Sequence, residues 1–466
     1  MRTRWIGRCA LVLVTLAAAR PVAVLSESLG RPVEFAETAR GIAARACGTS
    51  DSKQWFSELP SDGEFTVSSI VVRAVEIGER ARWSLGNRVW TAERFAPSGR
   101  LHRVHVRLDQ HAQDSERAEL LVMANQSCVV TGGRRLRYGN AVPPVALDYL
   151  DAQLIPTGVS EPLNPPVPSG DDSGGLRVAL VDAGVNYLLP EISHALARDQ
   201  DGRILGYDFW DMDRRPFDTH LVSSPFFPRR HGTRTASLLR TEAPLASLLP
   251  FRYPRPDMSR MAELVDEAVA NGARIVNLSL GSDDLGEWQV FAAAAGRHEN
   301  ILFVASAGND GLDIDSDPVY PASLTLENLI VATSAGGDRL PASGSNWGKQ
   351  SVDLLVPAEQ MIVTGFDGHA RFASGSSYAA VRISALAACL LGAHPHWGAA
   401  ELKRELFSLA ETDVDVLRFV AQGFLPNPVE HDRGVCQADP DHVEVELTLA
   451  MEPTSPASTG SYILAP

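Results

Sequence analysis

Hydrophobic and polar positions change their spacing along this chain, and the change divides it into two regions. Before about residue 155 apolar and polar positions alternate: Val104, Val106 and Leu108 are separated by His105 and Arg107. A period of two is typical of a strand with one buried face. AELLVMA and SCVVTGGRRLRY predict further short strands, and VEFAETARGIAARA predicts a helix. This first region is therefore expected to be β-rich.

Beyond about residue 175, short and continuously apolar strands alternate with helical segments. The strand segments are LRVALVD, ASLLPFRY, ARIVNLSLG, ILFVASAGN, NLIVATSA and SVDLLVP. The helical segments are HGTRTASLL, MSRMAELVDEAVANG, EWQVFAAAAGRH and SGSSYAAVRISALAACLL. Strands that are apolar throughout are typical of a parallel sheet covered by helices on both faces. The pattern predicts an α/β domain of three layers with a mainly parallel sheet.

The first residues have the pattern of an export signal. MRTRWIGR carries three arginines, and CALVLVTLAAA follows as an apolar run of eleven residues. A basic segment before a short apolar core is typical of a secretory signal peptide. The alternative is a membrane anchor, but a spanning helix needs ~20 apolar residues. We expect export, to the periplasm or as a secreted protein, without a stable membrane anchor.

Composition places the other boundaries. PTGVSEPLNPPVPSGDDSGG concentrates Pro, Gly, Ser and Asp, which favours an extended linker. The segment after about Pro426 has weak periodicity, which is typical of a poorly ordered tail. The expected division is a signal peptide (1–25), an N-terminal β-rich domain (26–155), a linker (156–175), the α/β domain (176–425) and a C-terminal tail (426–466).

Charge excludes one class of function, and the cysteines fit export. The formal net charge of −15 comes from 57 acidic and 42 basic residues, whereas a nonspecific nucleic-acid binder needs clustered cations. Without the signal, the cysteines would be Cys47, Cys128, Cys389 and Cys436, an even number that allows three pairings. Cys389 lies in an apolar helical run, which favours a small buried thiol. The cysteine spacings predict no metal cluster.

Three side chains at strand and helix ends have the chemistry of nucleophilic catalysis. Asp182 ends LRVALVD, His231 opens HGTRTASLL, and Ser377 begins a nearly all-apolar helix. Alone, each has a structural alternative: a turn or cap for Asp182 and Ser377, and a surface position for His231. Together they form a set, because histidine takes the proton from serine while a carboxylate fixes the histidine tautomer.

Asn309 adds a fourth group. It ends ILFVASAGN, and its side-chain amide can donate a hydrogen bond to a tetrahedral oxyanion. Removal of one such donor typically costs ~2.7–4 kcal/mol of transition-state stabilisation. The neighbouring Gly308 and Gly311 would let a substrate approach closely.

Six segments resemble, in order, motifs of the subtilisin family of serine peptidases. They are VALVDAGVN, HGTRTA, ARIVNLSLG, SAGNDG, SNWGKQSVDLLVP and GSSYAA, and they lie between about Leu176 and about Asp413. The chain order Asp, His, Ser is also that of subtilisin. The resemblance implies a subtilisin-like fold with a seven-stranded parallel sheet, and a secreted serine endopeptidase that hydrolyses polypeptide substrates without an organic cofactor.

The resemblance also implies a role for each site residue. Asp182 orients the histidine, His231 acts as general base and then acid, Ser377 attacks to form the acyl-enzyme, and Asn309 stabilises the oxyanion. Substrate binding falls to Ser279, Leu280 and Gly281, which would pair with an extended substrate by strand addition and border its side-chain pocket. No residue is assigned to a metal.

Four positions depart from the family pattern. Ala183, Ser376, Val381 and Ala358 stand where the family usually has serine or threonine, threonine, proline and glycine. None of these substitutions removes a reacting group. They affect the fine geometry, and hence the rate more than the identity of the reaction.

Two alternatives to a peptidase stay open. A fold does not by itself establish activity, so a catalytically weak or inactive binding protein is one of them. An esterase that uses the same triad is the other. The region before the linker is expected to be a propeptide that inhibits the peptidase or assists its folding, and the alternative is a permanent β-rich domain.

Two groups of aspartates raise the question of calcium. NDGLDIDSDP contains Asp310, Asp313, Asp315 and Asp317, and WDMD contains Asp211 and Asp213. Both groups predict solvated acidic loops, with structural calcium as the alternative. For the first group, attraction of basic substrate side chains is a third interpretation.

Overall fold

The chain forms two compact units. A computed structural model describes residues 31–48, 65–72, 75–112, 115–139, 143–221 and 224–428. One unit consists of residues 1–135 and 148–159, and the other of residues 136–147 and 160–466. The predicted signal peptide, nearly all of the predicted tail, Cys9 and Cys436 lie outside the described residues.

The N-terminal region is a helix and an antiparallel sheet, as the alternating pattern predicts. The helix is α1 (Ala36–Gly48). The strands follow one another in sheet order: β1 (Phe65–Val72), β2 (Val75–Leu85), β3 (Arg88–Phe95), β4 (Arg103–Ala112), β5 (Ser115–Asn125), β6 (Val130–Tyr138), β7 (Pro144–Leu150) and β8 (Pro156–Pro162). β2 and β5 have 11 residues each, so not all strands are short. β8 occupies the start of the segment predicted as a linker.

The core of the N-terminal unit lies between α1 and the sheet. Ala39 and Ile42 of α1 pack in one apolar cluster with Trp83, Trp90 and Val106 of the strands. The alternation along β4 follows from this arrangement, because the face that meets α1 is buried and the other face is not.

The second unit is built on a parallel sheet of eight strands. Its strands are β9 (Leu176–Asp182), β10 (Tyr207–Asp208), β11 (Ala246–Arg252), β12 (Ile275–Leu278), β13 (Leu302–Ser306), β14 (Leu329–Ala335), β15 (Leu354–Pro357) and β18 (Gly423–Phe424). The order is β10-β11-β9-β12-β13-β14-β15-β18, and every neighbouring pair is parallel. The sheet has eight strands rather than the seven that the resemblance implies: the six inner strands are those that the apolar pattern predicts, and the two-residue strands β10 and β18 form the edges.

Helices and one hairpin complete this unit. The helices are α2 (Pro190–Ser193), α3 (Gly232–Glu242), α4 (Met261–Ala270), α5 (Leu285–Arg297), α6 (Ser376–Ala393) and α7 (Ala399–Ser408). β16 (Met361–Thr364) and β17 (Ala370–Ala373) form the antiparallel hairpin. Short 3₁₀ turns lie at Pro97–Gly99, Met258–Arg260 and Val416–Arg418.

The parallel sheet is buried on both faces. In β9, Val178 and Leu180 belong to one apolar cluster, which also contains buried residues of α3, α6 and α7. Ala179 and Val181 point the other way, into a second cluster with residues of α4 and α5. The continuously apolar strands therefore reflect two helical layers, and the predicted three-layer α/β domain is confirmed.

The helix α6 is apolar because it is a core helix. Among the described residues it is the helix with the length and hydropathy to cross a membrane, and 83% of its residues are buried within the protein. Cys389 lies in it, buried as predicted, but it is disulfide-bonded. The interpretation as a free thiol is therefore wrong, because a buried position in an apolar helix does not prevent a cysteine from forming a disulfide.

Candidate active site

The site begins where β9 meets the start of α3. Asp182 is the last residue of β9 and only 4% exposed, and His231 directly precedes α3. His231 Nδ1 lies 2.9 Å from Oδ1 and 2.8 Å from Oδ2 of Asp182. Gly232 lets the two elements approach, since a Cβ there would lie 1.9 Å from the carbonyl oxygen of Gly184. The contact orients the imidazole with Nε2 away from Asp182.

Two further groups hold the Asp182 carboxylate. Thr235 Oγ1 donates to Oδ2 at 2.9 Å, and the backbone N–H of Ala183 donates to Oδ1 at 2.7 Å. Ala183 thus contributes through its backbone, although its side chain departs from the family pattern. Thr235 was not predicted from the sequence. Its position four residues after His231 was the available signal, because residues i and i+4 share one helix face.

A second buried carboxylate anchors the start of α3. Asp218 is fully buried and accepts hydrogen bonds from the backbone N–H of Thr233 at 2.9 Å, its hydroxyl at 2.6 Å and the N–H of His231 at 3.3 Å. Arg230 donates to the backbone oxygen of Asp218 and to Thr219 Oγ1. Asp218 therefore supplies the acceptors that the first N–H groups of a helix lack.

These charges set the protonation of His231, whose side chain is 32% exposed. Burial acts to lower the pKa of His231, but the Asp182 carboxylate, its hydrogen bond and the charge of Asp218 outweigh burial. Arg234 also acts to lower the pKa. The net result is a pKa above the ordinary value of 6.5.

Ser377 is the second residue of α6 and 8% exposed. Gly375 precedes the helix at φ 127°, where a Cβ would lie 2.8 Å from Asn309 Oδ1, so the position requires glycine. The ring of Tyr378, the next residue, lies 6.2 Å from the His231 ring between centroids. No hydrogen bond joins Ser377 and His231 within the described residues; such bonds are often long without substrate.

Asn309 is fixed through its side-chain oxygen. Oδ1 accepts from the backbone N–H of Ser376 at 2.9 Å and from its hydroxyl at 3.2 Å. The same hydroxyl accepts from the N–H of Gly308 at 3.1 Å. With Oδ1 engaged, the amide Nδ2 is the end of Asn309 that can donate to a substrate. Ser376 retains the hydroxyl that threonine would supply.

The loop that carries Asn309 is organised by Asn346, which is fully buried. Asn346 Oδ1 accepts from the N–H groups of Asp310 at 2.9 Å and Leu312 at 3.0 Å. Its Nδ2 donates to the carbonyl of Ala307 at 2.9 Å. One side chain thereby holds the loop on both sides of Asn309. This role of Asn346 was not predicted from the sequence.

The predicted substrate segment follows β12 at the same edge of the sheet. Ser279 Oγ lies 3.2 Å from the carbonyl oxygen of Ser377, which connects the segment to the start of α6. Leu280 is partly buried and Gly281 is exposed. A Cβ on Gly281 would lie 2.8 Å from the Tyr320 carbonyl oxygen, so this backbone packs tightly against its neighbour.

Three aspartates of the two acidic segments, Asp315, Asp211 and Asp213, have partners for their side chains within the protein. Asp315 accepts from the N–H groups of Gln350 and Ser351 at 2.9 Å and 2.8 Å. Asp211 pairs with Arg252 at 2.7 Å, and Asp213 forms an ion pair with Arg215. In the described ranges no group of three or more His, Cys, Asp or Glu side chains is arranged to hold a metal ion. Structural calcium stays an untested alternative.

Comparison with known proteins identifies a family whose model matches this region. The family model described as the Subtilase family matches residues 173–424. The thermophilic serine proteinase of Bacillus sp. (strain AK1) is 31% identical over 225 residues, which cover 47% of this chain and 52% of that protein. Halolysin of Haloferax mediterranei is 27% identical over 254 residues, 51% of this chain and 45% of that protein. This chain thus spans about half the length of these relatives.

Two solved structures are also similar to part of this chain. A cold adapted subtilisin-like serine proteinase aligns with a TM-score of 0.46 and 23% identity, over 57% of this chain and 94% of that chain. The A-subunit of the AB5 toxin from E. coli aligns with a TM-score of 0.47 and 22% identity, over the same shares of 57% and 94%.

Proposed function

The chain belongs to the subtilase family, and from this premise we propose that it is an exported serine endopeptidase. In this proposal Ser377 is the nucleophile, His231 the general base and acid, and Asp182 the residue that orients the histidine. Asn309 donates to the oxyanion. The substrates are polypeptides in an extended conformation, because Ser279, Leu280 and Gly281 offer a backbone edge for strand addition.

The observation that carries the proposal is the contact of His231 Nδ1 with both carboxylate oxygens of Asp182. A carboxylate at Nδ1 keeps the proton there, which leaves Nε2 unprotonated and able to accept the proton of a serine hydroxyl. The pKa of His231 is raised because the Asp182 charge, its hydrogen bond and the Asp218 charge together outweigh burial, and this supports the same role, since the imidazolium that forms is stabilised.

Each step of the proposed reaction uses a group in this region. Ser377 Oγ attacks the carbonyl carbon of the scissile bond while Nε2 of His231 takes its proton. The negative charge on the carbonyl oxygen is stabilised by Nδ2 of Asn309 and by the N-terminal end of α6. His231 then gives the proton to the leaving amine, and a water molecule hydrolyses the acyl-enzyme by the same route.

Covalent labelling by a serine-directed fluorophosphonate tests the nucleophile. The folded wild type is expected to label, and Ser377→Ala to lose labelling completely. Ser408→Ala removes an exposed serine hydroxyl on another helix and should label like the wild type. A folded wild type that does not label would contradict the proposal and favour a binding protein on this fold.

Substrate class is tested separately. We expect hydrolysis of casein and of peptide substrates, and loss of both in Ser377→Ala. Hydrolysis of simple esters with intact casein and peptides would instead establish the esterase alternative. Recovery of the protein from the cell fraction, with its N-terminus uncleaved, would overturn the proposed export.

We further propose that the N-terminal β-rich unit acts as an inhibitor or folding aid of the peptidase, as the order of the regions suggests. N-terminal sequencing of the mature protein tests this. The expected mature chain begins beyond the β-rich unit, and Ser377→Ala should retain that unit if its removal is autocatalytic. A fully active chain that begins near residue 25 would refute removal.

A further inference from the structure

Two cysteines of the N-terminal unit lie on neighbouring elements. Cys47 is in the last turn of α1 and half-buried, and Cys128 is in the turn between β5 and β6 and exposed. Both are present as free thiols, and their side chains are joined by a hydrogen bond. The chain segments that carry them are about 80 residues apart in sequence, so the fold itself brings the thiols together.

The backbone around each thiol is held in place. Cys128 has φ 63°, and its N–H donates to the carbonyl of Asn125 at 3.0 Å. Asn125 Oδ1 accepts from the N–H groups of Ser127 and Val129, at 3.0 Å and 3.1 Å. On the other side, Cys47 packs against the apolar cluster that fixes α1 to the sheet. Backbone hydrogen bonds and core packing therefore hold the two thiols next to each other.

We propose that Cys47 and Cys128 form a disulfide that ties the end of α1 to the β5–β6 turn. This pairing is one of the connectivities that the sequence leaves open. Cys389 is already disulfide-bonded, so its partner cannot be Cys47 or Cys128, which are both free thiols. The proposal concerns the N-terminal unit alone and does not depend on the proposed peptidase activity.

The bond forms by thiol–disulfide exchange with an external disulfide, such as oxidised glutathione. The exposed Cys128, as thiolate, attacks one sulfur of the oxidant and releases the first reduced thiol. Cys47 then loses its proton and attacks the Cys128 sulfur of the mixed disulfide, which releases the second thiol. In sum two protein thiols become one disulfide, and one oxidant disulfide becomes two thiols.

The order of attack follows from the environments of the two thiols. Burial and the hydrogen bond with Cys128 raise the pKa of Cys47 to about 12, so Cys47 is a poor first nucleophile at neutral pH. Once Cys128 is in the mixed disulfide, it no longer carries a thiolate charge beside Cys47. The neighbouring Arg94, whose charge acts to lower the pKa of Cys47, then favours the second step.

The consequence is a covalent constraint on the N-terminal unit. A cross-link between residues distant in sequence stabilises mainly by restricting the unfolded chain. Loss of a native disulfide of this kind is expected to lower the Tm of the unit on the order of 10 °C.

The test uses the full chain equilibrated with oxidised glutathione, alkylated under denaturing conditions and digested without reduction. Mass spectrometry should find a peptide that joins Cys47 to Cys128, and it should disappear in Cys128→Ser. Cys389→Ala serves as control and should retain the joined peptide. Alkylation of both Cys47 and Cys128 in a folded wild type, or glutathione attached to Cys128 without the joined peptide, would overturn the proposal.

A stability measurement keeps the proposal independent of any single variant. The oxidised wild type should melt at a higher temperature than Cys47→Ala, Cys128→Ser and their double variant, and these three should melt alike. Unequal melting of the single variants, with no effect of the oxidant on the wild type, would assign the change to packing at Cys47 and contradict a disulfide.

Discussion

Thr233 donates two hydrogen bonds to the buried carboxylate of Asp218, from its backbone N–H at 2.9 Å and from its hydroxyl at 2.6 Å. Asp218 also accepts from the N–H of His231 at 3.3 Å. The carboxylate therefore fixes the first turn of α3, whose start presents the imidazole to Asp182. The position of His231 depends on a residue 13 positions earlier in the chain.

Asp218→Ala should destabilise the protein and slow labelling of Ser377. The change leaves the N–H and hydroxyl of Thr233 buried without an acceptor, a loss of ~1–3 kcal/mol. Asp218→Asn keeps one acceptor oxygen and should recover part of the stability and part of the labelling rate. Urea unfolding and the rate of fluorophosphonate labelling measure the two effects.

The matched control is Asp284→Ala, which removes the side-chain acceptor for Gly286 at the start of α5. It tests loss of a helix cap away from His231 and should leave the labelling rate unchanged. If Asp218→Ala unfolds more easily but labels at the wild-type rate, Asp218 has no positioning role.

The rate of labelling should rise with pH through a midpoint above 6.5, because His231 accepts the serine proton only when neutral and its pKa is raised from 6.5. Asp218→Asn removes a nearby negative charge and should move the midpoint down. Arg234→Gln removes a positive charge that acts to lower the pKa and should move it up. Shifts in the opposite directions would contradict this account of the electrostatics.

Most strands and helices, and the positions of Asp182, His231 and Ser377, are predictable from sequence because they follow apolar periodicity or lie at the ends of regular elements. Asp182 ends a continuously apolar strand, and His231 and Ser377 stand at the starts of helices. Apolar periodicity locates such element ends, and parallel strands bring their carboxyl ends to one edge of the sheet. The sequence pattern that locates the ends of these elements therefore also locates the side chains of the candidate site.

The supporting groups are not predictable in the same way. Asp218 and Asn346 act from irregular segments: Asp218 accepts hydrogen bonds from the first turn of α3, and Asn346 binds backbone groups of the loop that carries Asn309. No periodicity marks such contacts, because they depend on where distant segments meet after folding. The edge strands β10 and β18 were missed for a related reason, since two residues are too few to form a pattern.

Asn309→Ala should lower kcat for peptide hydrolysis by about 10²–10³-fold, because one donor to the oxyanion is lost. Its side-chain oxygen also accepts from Ser376, so a small loss of stability is expected as well. Asn328→Ala provides the comparison: this buried amide donates to the carbonyls of Ala295 and His298, away from the site. Asn328→Ala should lower stability and spare kcat, and equal kcat losses in both variants would count against the oxyanion role.

A buried ion pair joins the helices that carry His231 and Ser377. Arg382 of α6 donates from Nε to Glu242 of α3 at 2.7 Å, and from Nη1 to the carbonyl of Pro357 at 2.6 Å. Arg382→Met should destabilise by about 3–5 kcal/mol, because Glu242 is left as an unpaired buried carboxylate. The double variant with Glu242→Leu should recover much of this loss in urea unfolding. A double variant as unstable as the sum of the singles would show that the pair itself is not coupled.

Protonation of His220 should lower the stability of the fold at acid pH. Burial, reinforced by Arg229, lowers the pKa of His220 to about 4, and its ring lies against Trp210 and Tyr253 at 5.4 Å and 6.2 Å between centroids. Since the pKa in the folded protein lies below the ordinary 6.5, the unfolded chain binds the proton first. The contribution of His220 to stability is therefore complete above pH 6.5 and is lost as the pH falls towards about 4.

Replacement of His220 by phenylalanine should flatten this part of the stability curve. Urea unfolding between pH 7 and 4 is expected to show a smaller loss of stability in His220→Phe than in the wild type. Carboxylates and His105, whose pKa burial also lowers to about 4, still titrate in the variant and account for its remaining slope. His369→Phe, at an exposed position, should follow the wild-type curve. Parallel curves for His220→Phe and the wild type would mean that protonation of His220 does not change the free energy of unfolding.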